Sequence, residues 1–226
     1  RGANVSMPHK QNIIPYLDEI STASRLCNAV NTITFKDGKY YGTITDGIGF
    51  TRSLEEQGWL IKDKKITMVG AGGASTAIMV QLALDGVKEI IVYNRTMRTE
   101  FQEIINNTII ETGCTITLKS LSDLESLKKD MHSSYLFINT TGVGMEPMLE
   151  RTVVPDASYF KPDLKVADII YQPAVTKMLR LAKEAGCATM NGELMLLYQG
   201  VESFKIWTGQ EMPINEVKKV LGIEVK

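Results

Sequence analysis

Histidine, cysteine and charge imbalance are all scarce in this sequence. The two histidines, His9 and His132, are too few for a His-rich metal site, and no metal is expected. The three cysteines, Cys27, Cys114 and Cys187, are odd in number and far apart. No Cys-x-x-Cys pair occurs, which argues against a zinc ribbon and against a disulfide framework. A reduced, cytoplasmic protein is the expectation. Net charge is close to nil, with 25 Lys+Arg against 26 Asp+Glu. Nucleic-acid binders and polybasic membrane-surface proteins carry a basic excess or patch, so neither partner is expected. Arg1 to Lys10 is polar, and no signal peptide is expected there.

Long apolar runs are also rare. Ile66 to Leu84 carries no charge and is long enough to resemble a membrane span. It also contains Gly70, Gly72, Gly73, Ser75, Thr76 and Gln81, and a strand, a glycine turn and a helix account for it better. What is present is ordinary globular material, 44% hydrophobic and 23% charged over 226 residues. That length suits one large domain or two small ones.

The pattern changes near residue 60. Before it, Gly2 to Met7 reads as a strand and Gln11 to Leu17 as a helix. Ala29 to Phe35 and Tyr40 to Ile44 read as a hairpin about Asp37-Gly38, followed by a helix from Phe50 to Gln57. After it, strands at 65–69, 89–93, 115–118, 135–139 and 166–170 alternate with helices at 74–84, 99–111, 122–129 and 176–185. This alternation implies βαβ units and a parallel sheet, hence an α/β fold. The tail reads as helices over 194–207 and 215–221.

Gly70-Ala71-Gly72-Gly73-Ala74-Ser75 lies between a strand and a helix, the context a dinucleotide fingerprint requires. The first glycine permits the tight turn. The second lets pyrophosphate approach the backbone at a helix N-terminus, and Ser75 is small enough for close packing. A plain tight βα turn is the competing reading. NAD binders place a carboxylate about 20 residues further on, for the ribose hydroxyls. Asn94-Arg95-Thr96 stands there instead, with Arg98 nearby. Either arginine can pair with a 2′-phosphate, which favours NADP over NAD. Two solvated surface arginines are the alternative.

Earlier in the chain come Asn4, Ser6, Lys10, Asn31, Thr32 and Asp46. Singly, each has an ordinary explanation, and Asp46 could simply cap a helix over Gly49–Gln57. The strings around them say more: Gly2-Ala-Asn-Val-Ser-Met-Pro-His-Lys10, Ala29-Val-Asn-Thr32 and Thr45-Asp-Gly-Ile-Gly-Phe50. Later ones agree: Asn94-Arg-Thr96, Asn139-Thr-Thr-Gly-Val-Gly-Met145, Asp168-Ile-Ile-Tyr-Gln-Pro173 and Asn191-Gly-Glu-Leu-Met-Leu-Leu-Tyr-Gln-Gly200. Together they closely resemble the shikimate dehydrogenase family, across essentially the whole chain.

The resemblance implies a Rossmann-type, doubly wound parallel sheet domain plus a smaller α/β substrate domain. It implies reversible NADPH-dependent reduction of 3-dehydroshikimate to shikimate, a step of chorismate and aromatic amino acid biosynthesis. Lys10 and Asp46 match the family's catalytic pair. Asn4, Ser6, Asn31, Asp46, Tyr171 and Gln199 match substrate contacts. The cofactor would be lined by Gly70 to Ser75, by Asn94, Arg95, Thr96 and Arg98, and by Thr140, Gly142, Gly144 and Met195. The last two would stand near the nicotinamide. The expected organisation is a substrate domain at 1–60, an NADP-binding domain at 61–190, and C-terminal helices at 191–226 returning to the first. Family members usually begin with a further stretch bearing a Ser-x-Ser motif, so the substrate domain is expected to be N-terminally truncated, with an exposed sheet edge. Small-molecule substrates and a monomer or homodimer are expected. Dual quinate/shikimate and dual cofactor use, a non-catalytic cofactor-binding fragment, and a metabolite-sensing module are the alternatives. Retention of both Lys10 and Asp46 argues against the last.

Overall fold

In the computed structural model, residues 1–223 are described. The N-terminal part builds a four-stranded sheet from β1 (Gly2–Asn4), β2 (Glu19–Ile20), β3 (Thr32–Lys36) and β4 (Lys39–Thr43), in the order β1-β3-β4-β2. β3 and β4 form the expected hairpin. Asp37 and Gly38 have φ of 52° and 80°, the left-handed pair that a two-residue turn between twisted strands requires. β1 pairs antiparallel with β3 and forms one edge, with all three of its residues exposed. The helix expected over Gln11 to Leu17 is absent. Pro15 interrupts it, and only a 3-10 turn at Ile14–Tyr16 forms. Helix α1 (Thr22–Cys27) follows, capped by the Ser21 hydroxyl, which accepts from Ser24 N.

The second sheet contains β5 (Lys65–Val69), β6 (Glu89–Asn94), β7 (Thr115–Ser120), β8 (Leu136–Asn139), β9 (Lys165–Asp168) and β10 (Ala188–Met190). Every pairing is parallel, and the order is β10-β9-β8-β5-β6-β7. The chain therefore runs outward from β5 in one direction, returns, and runs outward in the other. Ligands of open α/β sheets bind at such a reversal, beyond the carboxyl ends of the strands. Here the reversal lies between β5 and β8.

Helices α3 (Gly73–Leu84) and α4 (Thr99–Thr112) cover one face of this sheet; α5 (Leu124–Ser133) and α6 (Lys177–Glu184) cover the other. Successive β5 residues enter opposite cores: Ile66 and Met68 face α3, while Val69 faces α5 and α6. The uncharged stretch is explained by α3. Its Ile78, Met79, Val80 and Leu82 are fully buried, because the helix lies between the sheet and the N-terminal part. Among the described residues, no helix is long and apolar enough to cross a membrane.

Helices α2 (Asp46–Glu56) and α7 (Glu193–Thr208) join the two sheets, and α8 (Ile214–Leu221) packs against both helices. α7 lies along α2 and reaches β3, where the Trp207 indole donates to Ile33 O at 2.9 Å. α2 begins four residues before the expected Phe50. Its N-cap, Thr45, supplies no side-chain cap, and its first turn contains Gly47 and Gly49, so the usual start signals are missing. Asp46 is accordingly the first helical residue and not the cap.

Candidate active site

Lys10 lies in the turn after β1, where its carbonyl accepts from Val30 N at 2.8 Å. Its Nζ donates to Asp46 Oδ2 at 2.6 Å, with side-chain exposures of 27% and 10%. The pair is thus open enough to meet a ligand and sheltered enough to strengthen its electrostatics. Asp46 gains from its place at the positive end of α2, whose first N–H groups lack intrahelical partners.

Asn31 sets this helix end. Its Oδ1 accepts from Thr45 N at 2.9 Å and its Nδ2 donates to Thr45 Oγ1 at 3.1 Å, so the residue before Asp46 is held by a buried side chain. Thr32 Oγ1 also donates to Asn31 Oδ1, at 2.9 Å. Asn4 Nδ2 reaches Asn31 O and Thr32 Oγ1, both at 3.1 Å. Thr32 and Ser203 of α7 share a hydroxyl–hydroxyl bond of 3.0 Å, and Ser203 donates to Gln199 O. Asn4, Asn31, Lys10, Asp46 and the helix carrying Gln199 are brought together. Ser6 is exposed, and its carbonyl closes a turn with His9 N.

Two glycines fix α2. A Cβ on Gly49 would stand 2.7 Å from both Gln199 N and Met195 O, so α7 touches the α2 backbone. A Cβ on Gly47 would stand 2.4 Å from Ala77 O, one turn beyond the start of α3. Asp46 and the glycine turn therefore occupy neighbouring helix ends.

Gly70 has φ of 122°, and a Cβ there would strike Thr140 Oγ1 at 2.4 Å. Only glycine fits. Gly72 and Gly73 have open space where a Cβ would be, and both are exposed at the start of α3. The first intrahelical bond is Thr76 N to Gly72 O, which leaves the N–H groups of Gly73, Ala74 and Ser75 without helical partners. Exposed donors with clear space above them fit a pyrophosphate. Ser75 packs closely within the turn, as a small residue at that place allows. It is fully buried, and its Oγ donates to Gly70 O at 2.5 Å, so it closes the turn from beneath. Thr140 Oγ1 is likewise committed, to Val69 O at 2.7 Å. Met195 is buried against α2.

At the end of β6, Asn94 Nδ2 donates to Thr96 O at 2.7 Å and shapes the following turn. Arg95 and Arg98 are exposed there. Across β5, the loops after β8 and β9 enclose a cavity of about 590 Å³, lined by residues including Thr141, Gly142, Met145, Ile170 and Tyr171. Beneath it, Asp168 is fully buried without a cationic partner among the described residues. Burial pushes its carboxyl up to about 6, although hydrogen bonds from Thr176, Ile170 and Asn139 oppose the rise.

Three family models match consecutive parts of the chain: a shikimate dehydrogenase substrate binding domain over 1–33, a shikimate / quinate 5-dehydrogenase over 53–170, and a shikimate 5′-dehydrogenase C-terminal domain over 192–221. The chain is 46% identical to the shikimate dehydrogenase (NADP+) of Listeria innocua, over 98% of its own length and 77% of the relative's. The chain belongs to the shikimate dehydrogenase family. Among solved family members, the enzyme of Listeria monocytogenes in complex with shikimate and NAD superimposes with a TM-score of 0.94 at 47% identity, covering 98% of this chain and 77% of that one. A shikimate dehydrogenase in complex with NADP+ superimposes at 0.85, with 37% identity and coverages of 99% and 77%.

Within this member of the family, Ser203 and Asp168 are site-builders that the sequence does not reveal, and Thr32, named with its neighbours, has no role legible there. All three work through buried contacts to residues distant in the chain. Asp168 opens a string that was singled out, Asp168 to Pro173, but its burial has no signature in sequence.

Proposed function

We propose that this chain catalyses the reversible, NADP-dependent reduction of 3-dehydroshikimate to shikimate. The observation that carries this reading is the Lys10–Asp46 pair, 2.6 Å apart, set on the helix end next to the glycine turn. The names of the relatives support the substrate and the cofactor.

The reduced nicotinamide, when bound, supplies the hydride. The protein's task is to orient the ketone and provide one proton. The Lys10 ammonium faces the oxygen that becomes an alkoxide, stabilises its charge and delivers the proton. Asp46 holds Lys10 in place and offers a further acceptor to a ring hydroxyl. In the oxidative direction Lys10 returns as the base. Asn31 fixes the turn from which Asp46 projects, and Asn4, Gln199 and Tyr171 complete the substrate side. A substrate lacking a hydroxyl would leave buried polar groups unpaired, which gives selectivity. Gly72 and Gly73 admit the pyrophosphate. Arg95 and Arg98 stand where NAD enzymes place a carboxylate, and they take the 2′-phosphate.

Mixing the chain with shikimate and NADP and following absorbance of the reduced cofactor tests this reading. Steady reduction is expected, with kcat/KM for NADP above that for NAD. Arg95→Ala should raise KM for NADP by about tenfold and leave NAD nearly unaffected, as loss of a charge-assisted bond predicts. A folded chain that binds NADP without turnover would sink the dehydrogenase reading in favour of a cofactor-binding module. Equal kcat/KM for NADP and NAD would sink the arginine assignment alone.

A further inference from the structure

Asp168 is the one fully buried carboxylate among the described residues, and it accepts from three separate segments. Its Oδ1 takes Asn139 Nδ2 and Ile170 N, each at 3.1 Å. Its Oδ2 takes Thr176 Oγ1 at 2.8 Å. Each donor leads to the cavity beyond β8 and β9.

The first arm fixes the loop after β8. With its amide nitrogen turned to Asp168, Asn139 presents Oδ1 to Thr141 N at 3.1 Å and to Thr141 Oγ1 at 2.7 Å. Thr141 Oγ1 in turn accepts from Val143 N at 3.1 Å. The second arm holds the Ile170 backbone, and with it Tyr171, on the opposite wall. The third arm orients Thr176, whose side chain caps α6 and packs 3.3 Å from where a Cβ of Gly144 would stand. Gly144 has φ of 114°, a conformation that this backing helps to hold.

A carboxylate is well suited to this work. It accepts at both oxygens and donates at neither, so every donor aimed at it must face one way. An amide at the same place would keep the Oδ1 bonds but turn a donor toward Thr176.

We propose that Asp168 is a positioning residue that sets both walls of the cavity receiving the nicotinamide half of NADP. The assignment of that half rests on the proposed function and on the sheet order. Arg95 and Arg98 follow β6, on one side of β5, whereas the cavity follows β8 and β9, on the other. A dinucleotide crossing the glycine turn with its 2′-phosphate at the arginines must place its other half there.

The two halves can be tested separately. Binding of NADP and of adenosine 2′,5′-bisphosphate, which lacks the nicotinamide half, is measured by calorimetry for wild type, Asp168→Asn and Thr176→Val. Melting temperatures are taken alongside. For Asp168→Asn, Kd for NADP should rise about tenfold, while that for the bisphosphate stays within about twofold, the scale of one bond to a charged acceptor. Thr176→Val removes one arm and should give the same split at about threefold. It also serves if Asp168→Asn fails to fold. Unchanged NADP affinity in a folded variant would overturn the proposal. So would an equal loss of both ligands, the mark of a merely structural role. Turnover of shikimate by the wild type is assayed in parallel. Its absence with both ligands bound would refute the proposed activity and leave the binding comparison to decide this point.

Discussion

At the scale of single residues, two acids with similar side chains do different work because their surroundings differ. Asp46 lies at a helix N-terminus against an ammonium and is partly open to solvent. Asp168 lies under the sheet's carboxyl edge among neutral donors. Removing the ammonium from the first site should damage chemistry more than binding. Lys10→Ala is expected to lower kcat by about 10²-fold or more with little change in KM for shikimate, the usual scale of general acid–base catalysis. Steady-state kinetics decide it, and a change confined to KM would reassign Lys10 to binding. The second acid should show itself in stability. Its carboxyl is raised from 3.8 to about 6, so the folded chain holds that proton more tightly than the unfolded chain. The stabilisation is complete below the unfolded value and is lost as pH climbs through about 6. About two pH units correspond to a contribution on the order of 3 kcal/mol. Urea unfolding of wild type and Asp168→Asn should therefore diverge between about pH 4 and about pH 7 by that amount. Parallel stability curves would show that Asp168 does not titrate as described.

At the scale of elements, α2 carries Asp46 only because its glycines let two other helices come close. Gly49→Ala would drive a Cβ to within 2.7 Å of two α7 backbone atoms, which cannot turn aside as a side chain could. A loss of about 1–3 kcal/mol is expected, the range for overpacking, with a raised KM for shikimate as α7 and Gln199 move. Gly200, on α7 itself, has open space at its Cβ position. Gly200→Ala should therefore be neutral or stabilise by about 0.4–1 kcal/mol, through the unfolded state. Denaturation of both variants checks the contrast, and equal effects would refute it. The same helix shows where sequence reading falls short. Its apolar face was legible, but its start was not, because Gly47 and Gly49 read as helix breakers until their neighbours are known. β5 to β9 of the parallel sheet and the helices covering them were placed to within a few residues, since each apolar run is bounded by glycine or a charged turn. α1, β2 and β10 were missed: their six, two and three residues are too few to establish a period. The pairing of Lys10 with Asp46 came from resemblance. Thr32 with Ser203, 171 positions apart, had no such guide.

At the scale of the whole molecule, two sheets share one set of joining helices, and the joint has one end at the proposed catalytic pair and another that serves stability. Asp46 occupies the first residue of α2 and Glu56 the last. Glu56 accepts from Lys218 of α8 at 2.6 Å and from the Tyr198 hydroxyl of α7, in a cluster where the Lys218 side chain is only 5% exposed. Burial, then the Glu56 carboxylate, pushes the Tyr198 phenol up to about 12, so it remains a donor across the working pH range. Arg52 closes the cluster, 5.1 Å above the Tyr198 ring. The Lys218 and Glu56 side chains are largely withdrawn from solvent at this end, so the ion pair depends on keeping its partners. Lys218→Ala removes one charge and the stem that packs with it, and should cost about 3 kcal/mol, the lower end for breaking a buried pair. The loss should be local in its consequences. Amide exchange should quicken in α8 and the last turn of α2, while Asp46 stays fixed by Asn31, Gly47 and Gly49 at the other end. Turnover at saturating substrate should then remain within about twofold of wild type, because the removed contacts bear on stability and not on the reacting atoms. Hydrogen exchange read by mass spectrometry, together with kcat, separates this from the opposite case. If kcat fell with stability, α2 would transmit strain along its whole length, and the two ends of the joint would act as one.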